Sequence, residues 1–124
     1  MRSNNLRKQV KTMLDSLQLA PVFYNIADTD AMFPHIVFNL SGVNHNDINR
    51  NDYDLQIDVY GKKQEDVLDI ADTIEDLFRT NNAPTDDILP SYYLEARTQI
   101  EDTDKDIRRE LIRFNVQLYD IEGD

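Results

Sequence analysis

Apolar residues recur along this chain at two spacings, and the switches between them lay out the elements. Leu6, Val10, Met13, Leu14 and Leu17 fall three or four apart within residues 4–18, which predicts a helix with one buried stripe, ended by Pro21. Val22 to Ile26 is a short apolar run suited to a strand. From Pro34 to Ser41 the period drops to two, with Ile36, Phe38 and Leu40 on one face and Val37 and Asn39 on the other. Tyr53 to Tyr60 alternates most clearly, setting Tyr53, Leu55, Ile57 and Val59 against Asp54, Gln56, Asp58 and Tyr60. After Gly61 the helical period returns. Val67, Ile70, Ala71, Ile74, Leu77 and Phe78 share one face of residues 64–79, and Asp66, Asp69, Asp72, Glu75 and Asp76 lie elsewhere around it. Two strands follow, Tyr92 to Glu101 and about Arg108 to Tyr119; in the second, Ile112, Phe114, Val116 and Leu118 face inward against Arg113, Asn115 and Gln117.

The order αβββαββ predicts an α+β fold, a mainly antiparallel sheet with two helices packed on it, and residues 1–124 as one domain. Two connections are expected to be long. Gly42 to Asn51 is dense in residues that form turns through their own backbone and reads as a hairpin loop, and residues 80–91 hold two prolines among turn formers. The last strand has a long polar outward face, with Arg109, Arg113, Asn115 and Gln117, and a strand of this kind at a sheet edge needs a partner.

Composition narrows the function. A chain 40% hydrophobic and 30% charged is apolar enough to fold, and no run approaches the ~20 apolar residues that a membrane helix needs. The N-terminal residues lack the apolar core of a signal peptide, so the protein is expected to act where it is made. The absence of cysteine excludes disulfides, thiolate zinc sites and a cysteine nucleophile. A net charge of −11 opposes binding to nucleic acid, whose affinity comes largely from Lys and Arg on phosphate. The charge is uneven. Residues 1–14 hold Arg2, Arg7, Lys8 and Lys11 with no acid, and the remainder carries 9 bases against 24 acids. Bases in the first turns of a helix oppose its dipole, so they are either a solvated helix end or an arm that meets an acidic surface, such as another copy.

Candidate chemistry is sparse. Asp102-Thr-Asp104-Lys-Asp106 matches the first ligand positions of a calcium-binding EF-hand loop, but Ile107 stands where glycine is required and Arg113 where the bidentate glutamate belongs, so a solvated hairpin turn is expected. His35 and His45 are the only histidines, and neither has a second one at helical metal-pair spacing. His35 is expected at a strand start and His45 in the polar loop. Ser41-Gly42 lacks the surroundings of a nucleophile elbow, and three glycines cannot make a phosphate-cradling loop. No cofactor is implied. Tyr60, Tyr92, Tyr93 and Tyr119 are either sheet packing or interface anchors.

The segments Pro34-His-Ile-Val-Phe-Asn-Leu, Tyr53-Asp-Leu-Gln-Ile-Asp-Val-Tyr-Gly, Asp69-Ile-Ala-Asp-Thr-Ile-Glu-Asp-Leu and Asp104-Lys-Asp-Ile-Arg-Arg-Glu-Leu-Ile-Arg-Phe-Asn-Val, in this order, resemble the tail completion proteins of long-tailed bacteriophages, the tail terminator or tail-to-head joining group. The resemblance runs from the first helix to the last strand and rests on element order and length rather than on a catalytic signature. It implies a non-enzymatic virion protein, assembled in the bacterial cytoplasm, that forms a ring, commonly a homo-hexamer, at the head-proximal end of the tail. Its partners would be other copies of itself, the tail-tube protein and the head-tail connector, with DNA passing through the ring unbound. The surface residues that would make such contacts are Arg7, Lys8, Lys11, Asn44, His45, Asn46, Arg50, Tyr60, Arg109 and Arg113. The competing readings are a neck adaptor, a small acidic inhibitor of a basic host protein, and a metal-dependent hydrolase using Asp102, Asp104 and His45.

Overall fold

The computed structural model describes residues 2–43, 50–80 and 88–120, and its element order is the expected αβββαββ. Helix α1 spans Arg2–Ser16, and the strands β1 (Val22–Tyr24), β2 (His35–Val43) and β3 (Arg50–Gly61) follow. Helix α2 spans Gln64–Thr80 and precedes β4 (Ile88–Glu101) and β5 (Arg108–Asp120). The five strands form one sheet in the order β1-β2-β3-β5-β4, antiparallel except for the parallel pairing of β1 with β2.

Both helices cover the same face of this sheet. Leu6, Val10, Met13 and Leu14 of α1 join Val67, Ile70, Ala71, Ile74 and Phe78 of α2 in one cluster with the inward residues of β2, β3 and β5. The alternation expected of β3 and β5 is realised, since Leu55, Ile57, Val59, Ile112, Phe114 and Val116 are all fully buried. Phe78 lies at the centre, its ring 4.9 Å from Tyr92 and 5.3 Å from Phe114. Helix α1 touches both edge strands, β1 and β4. Fifteen residues of helix reach about 22 Å, and five strands at their usual spacing span about 19 Å, so one helix is long enough to cross the sheet.

Local chemistry explains where the elements stop. Glu65 and Asp66 in the first turn of α2 and Arg79 in the last complement the helix dipole. At the end of α1, Gln18 adopts φ 52°, and its amide donates to the Asp15 carbonyl, closing the last turn. Between β4 and β5, Asp102 accepts the Asp104 amide at 3.0 Å and Asp104 accepts the Asp106 amide at 2.9 Å. These aspartates turn the chain.

Several expectations need adjustment. The last strand is not an edge strand: β5 lies between β3 and β4, and β4 holds the edge. The hairpin between β2 and β3 is shorter than residues 42–51, because Gly42, Val43, Arg50 and Asn51 extend the ladder, and Asn44, His45 and Asn46 lie outside the described residues. Likewise β4 begins at Ile88, inside the expected 80–91 loop, of which residues 81–87 lie outside the described ones. Strand β1 stops at Tyr24, and Ile26 is exposed.

Gly61 sits where β3 meets α2, and a Cβ there would stand 2.6 Å from Cγ2 of fully buried Val67. At Gly42 the nearest atom to such a Cβ is Cε1 of Tyr53 at 3.8 Å, an ordinary contact. Gly61→Ala is therefore expected to destabilise the fold by about 1–3 kcal/mol in urea denaturation, with Gly42→Ala within about 0.5 kcal/mol of wild type.

Candidate functional site

The sheet face that neither α1 nor α2 covers is built from β3 and β5 with β2 and β4 beside them. Its register sets His35 opposite Tyr60 and Tyr60 opposite Arg109, with Val37, Asp58 and Leu111 one level further along on the same three strands. Asp58 has the outward orientation expected of it, yet it is only 2% exposed. It is satisfied on both oxygens: Arg109 Nε donates to Oδ1 at 3.0 Å and Gln56 Nε2 donates to Oδ2 at 3.0 Å. A carboxylate can stay charged in such a place when a cation and hydrogen bonds replace its water.

Arg109 also lies over the Tyr60 ring, 5.3 Å from its centroid, and the other side of the group is aromatic. The His35 ring stacks on Tyr60 at 5.0 Å and packs against Phe33 at 4.9 Å, and Lys62 stands 4.7 Å from the Phe33 ring. His35 Nδ1 lies 3.1 Å from the Met32 carbonyl, which can only accept, so Nδ1 donates there. The result is an aromatic row, Phe33-His35-Tyr60, with a cation at each end. Burial pushes the Tyr60 hydroxyl above its ordinary range; the charge of Arg109 opposes this, and Asp58 and Asp102 add to it.

A second charged group lies on the helix-covered face. The register of β4 slips by one residue between Leu94 and Ala96, a bulge that reverses the alternation and turns Arg97 toward α2. Arg97 Nε donates to Glu110 at 2.8 Å, Nη1 donates to Asp72 at 2.6 Å and to Glu75 at 3.2 Å, and Nη2 reaches the Leu68 carbonyl at 3.5 Å. Arg79 donates to the other oxygen of Glu75 at 3.0 Å. Burial alone would lower the Arg97 guanidinium, but the hydrogen bonds it donates to Glu110, Asp72 and Glu75 outweigh this and hold the cation more firmly than usual. The group ties the edge strand to the helix.

The described candidate contact residues lie on several elements. Arg7 of α1 lies over the Tyr24 ring at 5.3 Å, Lys8 is exposed, and Lys11 pairs with Asp15 at 2.7 Å. Tyr60 and Arg109 come together on the uncovered face, and Arg113 is exposed four residues along β5. Arg50 starts β3 opposite Tyr119. Of the tyrosines, Tyr92 is buried in the core and Tyr93 is exposed. Sequence reasoning missed Arg97 and the roles of Phe33 and Lys62; a basic residue inside a strand that lacks alternation was the one available signal for the first. Among the described residues, no group of three or more His, Asp or Glu could hold a metal ion.

No protein-family model matches the chain, and no curated protein matches it by sequence. Its fold is similar to that of a chain in a solved structure described as the virion of a native gene transfer agent particle. The two align over 89% of this chain and 91% of the other, with a TM-score of 0.69 and 10% identity. At that identity the likeness is one of fold.

Two outcomes follow from the buried groups. Arg97→Met leaves buried Glu110 and half-buried Glu75 beside each other without their shared cation, and is expected to cost about 2–4 kcal/mol in urea denaturation, part of which Glu110→Gln in the same chain should restore. The Tyr92 hydroxyl, pushed well up by burial, keeps its proton in the folded chain after an unfolded tyrosine has lost it near pH 10. Its contribution is therefore present below about pH 10 and lost above it, by about 1.4 kcal/mol per pH unit. Tyr92→Phe should make the alkaline fall in stability shallower, read by denaturation between pH 9 and 11.

Proposed function

We propose that this protein is a structural component of a phage-like virion, forming a ring at the head-proximal end of a tail, where it ends tail-tube polymerisation and joins tail to head. The observation that carries the reading is the likeness of fold to a chain of a gene transfer agent virion across nearly the whole length of both chains. The resemblance to tail completion proteins, noted from the order of strands and helices, supports the position at the tail end. The work of such a protein lies in its surfaces and requires no catalytic group. The charged clusters fit this reading, because Asp58, Glu110 and Glu75 are held by arginines and serve the fold. An acidic ring also suits a passage for DNA, since like charge keeps phosphate from being captured.

Light scattering of the purified protein over a range of salt and protein concentrations tests the ring. Salt screens the repulsion among copies that each carry −11, so assembly should strengthen with ionic strength. The expected species is closed, of about six copies, near six times the 14.5 kDa chain. Retention on purified tail tubes should accompany it. A chain that stays monomeric in every condition and binds connectors but not tubes would replace the terminator with a neck adaptor.

A further inference from the structure

The exposed large apolar residues of the described chain are confined to two places. Tyr93 and Leu94 lie on β4, 53% and 37% exposed, at one edge of the sheet. Leu19, Ile26 and Met32 lie in the two connections that flank β1, the strand at the opposite edge, and Ile26 and Met32 are nearly four-fifths exposed. Single exposed apolar residues are ordinary, but their collection at the two ends of a sheet is not.

The two edges differ in kind. Strand β4 has 14 residues and, among the described residues, pairs only with β5, so alternate amides and carbonyls along its outer side have no strand partner. Edge strands are commonly kept from pairing by brevity, charge or a bulge. Here the bulge and the charged residues Glu95, Arg97 and Glu101 fall in the second half. The first half, Ile88-Leu-Pro-Ser-Tyr-Tyr-Leu94, carries no charge, and Pro90 is its one residue without an amide hydrogen. Helix α1 reaches β4 from the covered side, where Tyr92 OH lies 3.9 Å from Met13 Sδ, and Tyr93 is left facing outward. Strand β1, with three residues, is short.

Charge separates the edges as well. Arg7 sits over Tyr24, the last residue of β1, and brings the basic end of α1 to that side. Asp72 is bound to Arg97 of β4, and with Asp69 and Asp76 it makes the exposed face of α2 near β4 acidic. We infer that the β4 edge, at residues 88–94, is the docking surface for the β1 edge of a second copy of this chain, with Ile26 and Met32 of one copy against outward-facing Tyr93 of the next. Two different patches on opposite edges make a head-to-tail contact, which leaves each added copy with one edge free, and such contacts close into a ring when the rotation permits. The β4 strand supplies backbone groups and an apolar contact, and the opposite charges of α1 and α2 set the direction. The inference deepens the ring reading and rests on it for the identity of the partner.

The lack of cysteine makes the test direct. Tyr93→Cys and Met32→Cys are made separately in the full chain, checked for folding by circular dichroism, and treated with a short bis-maleimide at one fixed ionic strength. The mixture should give a cross-linked dimer, each variant alone should not, and a Thr73→Cys control on the exposed side of α2 should not link to Met32→Cys. Tyr93→Lys should weaken self-association at least tenfold by light scattering. The chain carrying both cysteines should give a ladder that stops at a closed species. A ladder without closure would keep the edge contact and remove the ring. A closed oligomer in light scattering with no link between positions 93 and 32 would keep the ring and overturn the edge contact. Linking of Tyr93→Cys to itself would overturn the head-to-tail arrangement in favour of a symmetric pair, and a monomer with no cross-link would overturn both readings.

Discussion

A five-stranded sheet has two faces to cover, and within its described residues this chain supplies helices for one. On the covered side the problem is solved by apolar packing, with Phe38, Phe78 and Phe114 fully buried among the aliphatic residues of both helices. The other side must be closed by its own side chains. Val37, Asp58 and Leu111 occupy neighbouring strands there and are nearly inaccessible, and Arg109 from the next row reaches Asp58. An aspartate in the middle of such a row is tolerable only with Arg109 and Gln56 on its two oxygens, so the uncovered face is held together by a buried charge pair as well as by stacked rings. Burial of this kind fixes a register, since a one-residue slip of β5 would carry Arg109 to the opposite face.

The same logic explains the bulge. Without it, Ala96 and Thr98 would continue the inward series begun by Tyr92 and Leu94; with it, Arg97 takes that place and meets three carboxylates from α2 and β5. Glu110 is the reason the site needs a cation, being buried on the same face of β5 as Ile112, Phe114 and Val116. The planar guanidinium serves both elements at once, which the point charge of a lysine cannot do. An irregularity that would weaken an isolated strand thereby fastens the sheet edge to α2.

Much of this was legible in the sequence, and the limits have physical causes. Periods of two in Tyr53–Tyr60 and Arg108–Tyr119 and of 3.6 in residues 64–79 report burial directly, so these elements and the α+β class could be read. Strand order could not, because pairing is non-local: nothing in the last strand says that it inserts between β3 and β4. Asp58 was readable as outward, but its burial depends on Arg109, 51 residues away. Arg97 escaped because a bulge shifts parity without leaving a residue type that marks it. Among the proposed contact residues, Arg109 lies over the Tyr60 ring, and this contact serves the sheet. A polar side chain on an outward position therefore does not by itself mark a surface for partners.

That distinction bears on how two chains 10% identical can share a fold over almost all of their length. Alternation, element order and core volume are constraints that very many sequences satisfy, so one architecture can be built from sequences with little in common. The buried ion pairs are bound by a stricter rule. Asp58 requires Arg109, and Arg97 requires Glu110, so neither member of a pair can change alone without leaving a buried charge. Edge positions such as Tyr93 and Met32 carry no such obligation within the chain, as each is exposed. On the proposed head-to-tail contact, apolar character there is accounted for outside the single chain, at the sheet edges where another strand can be received.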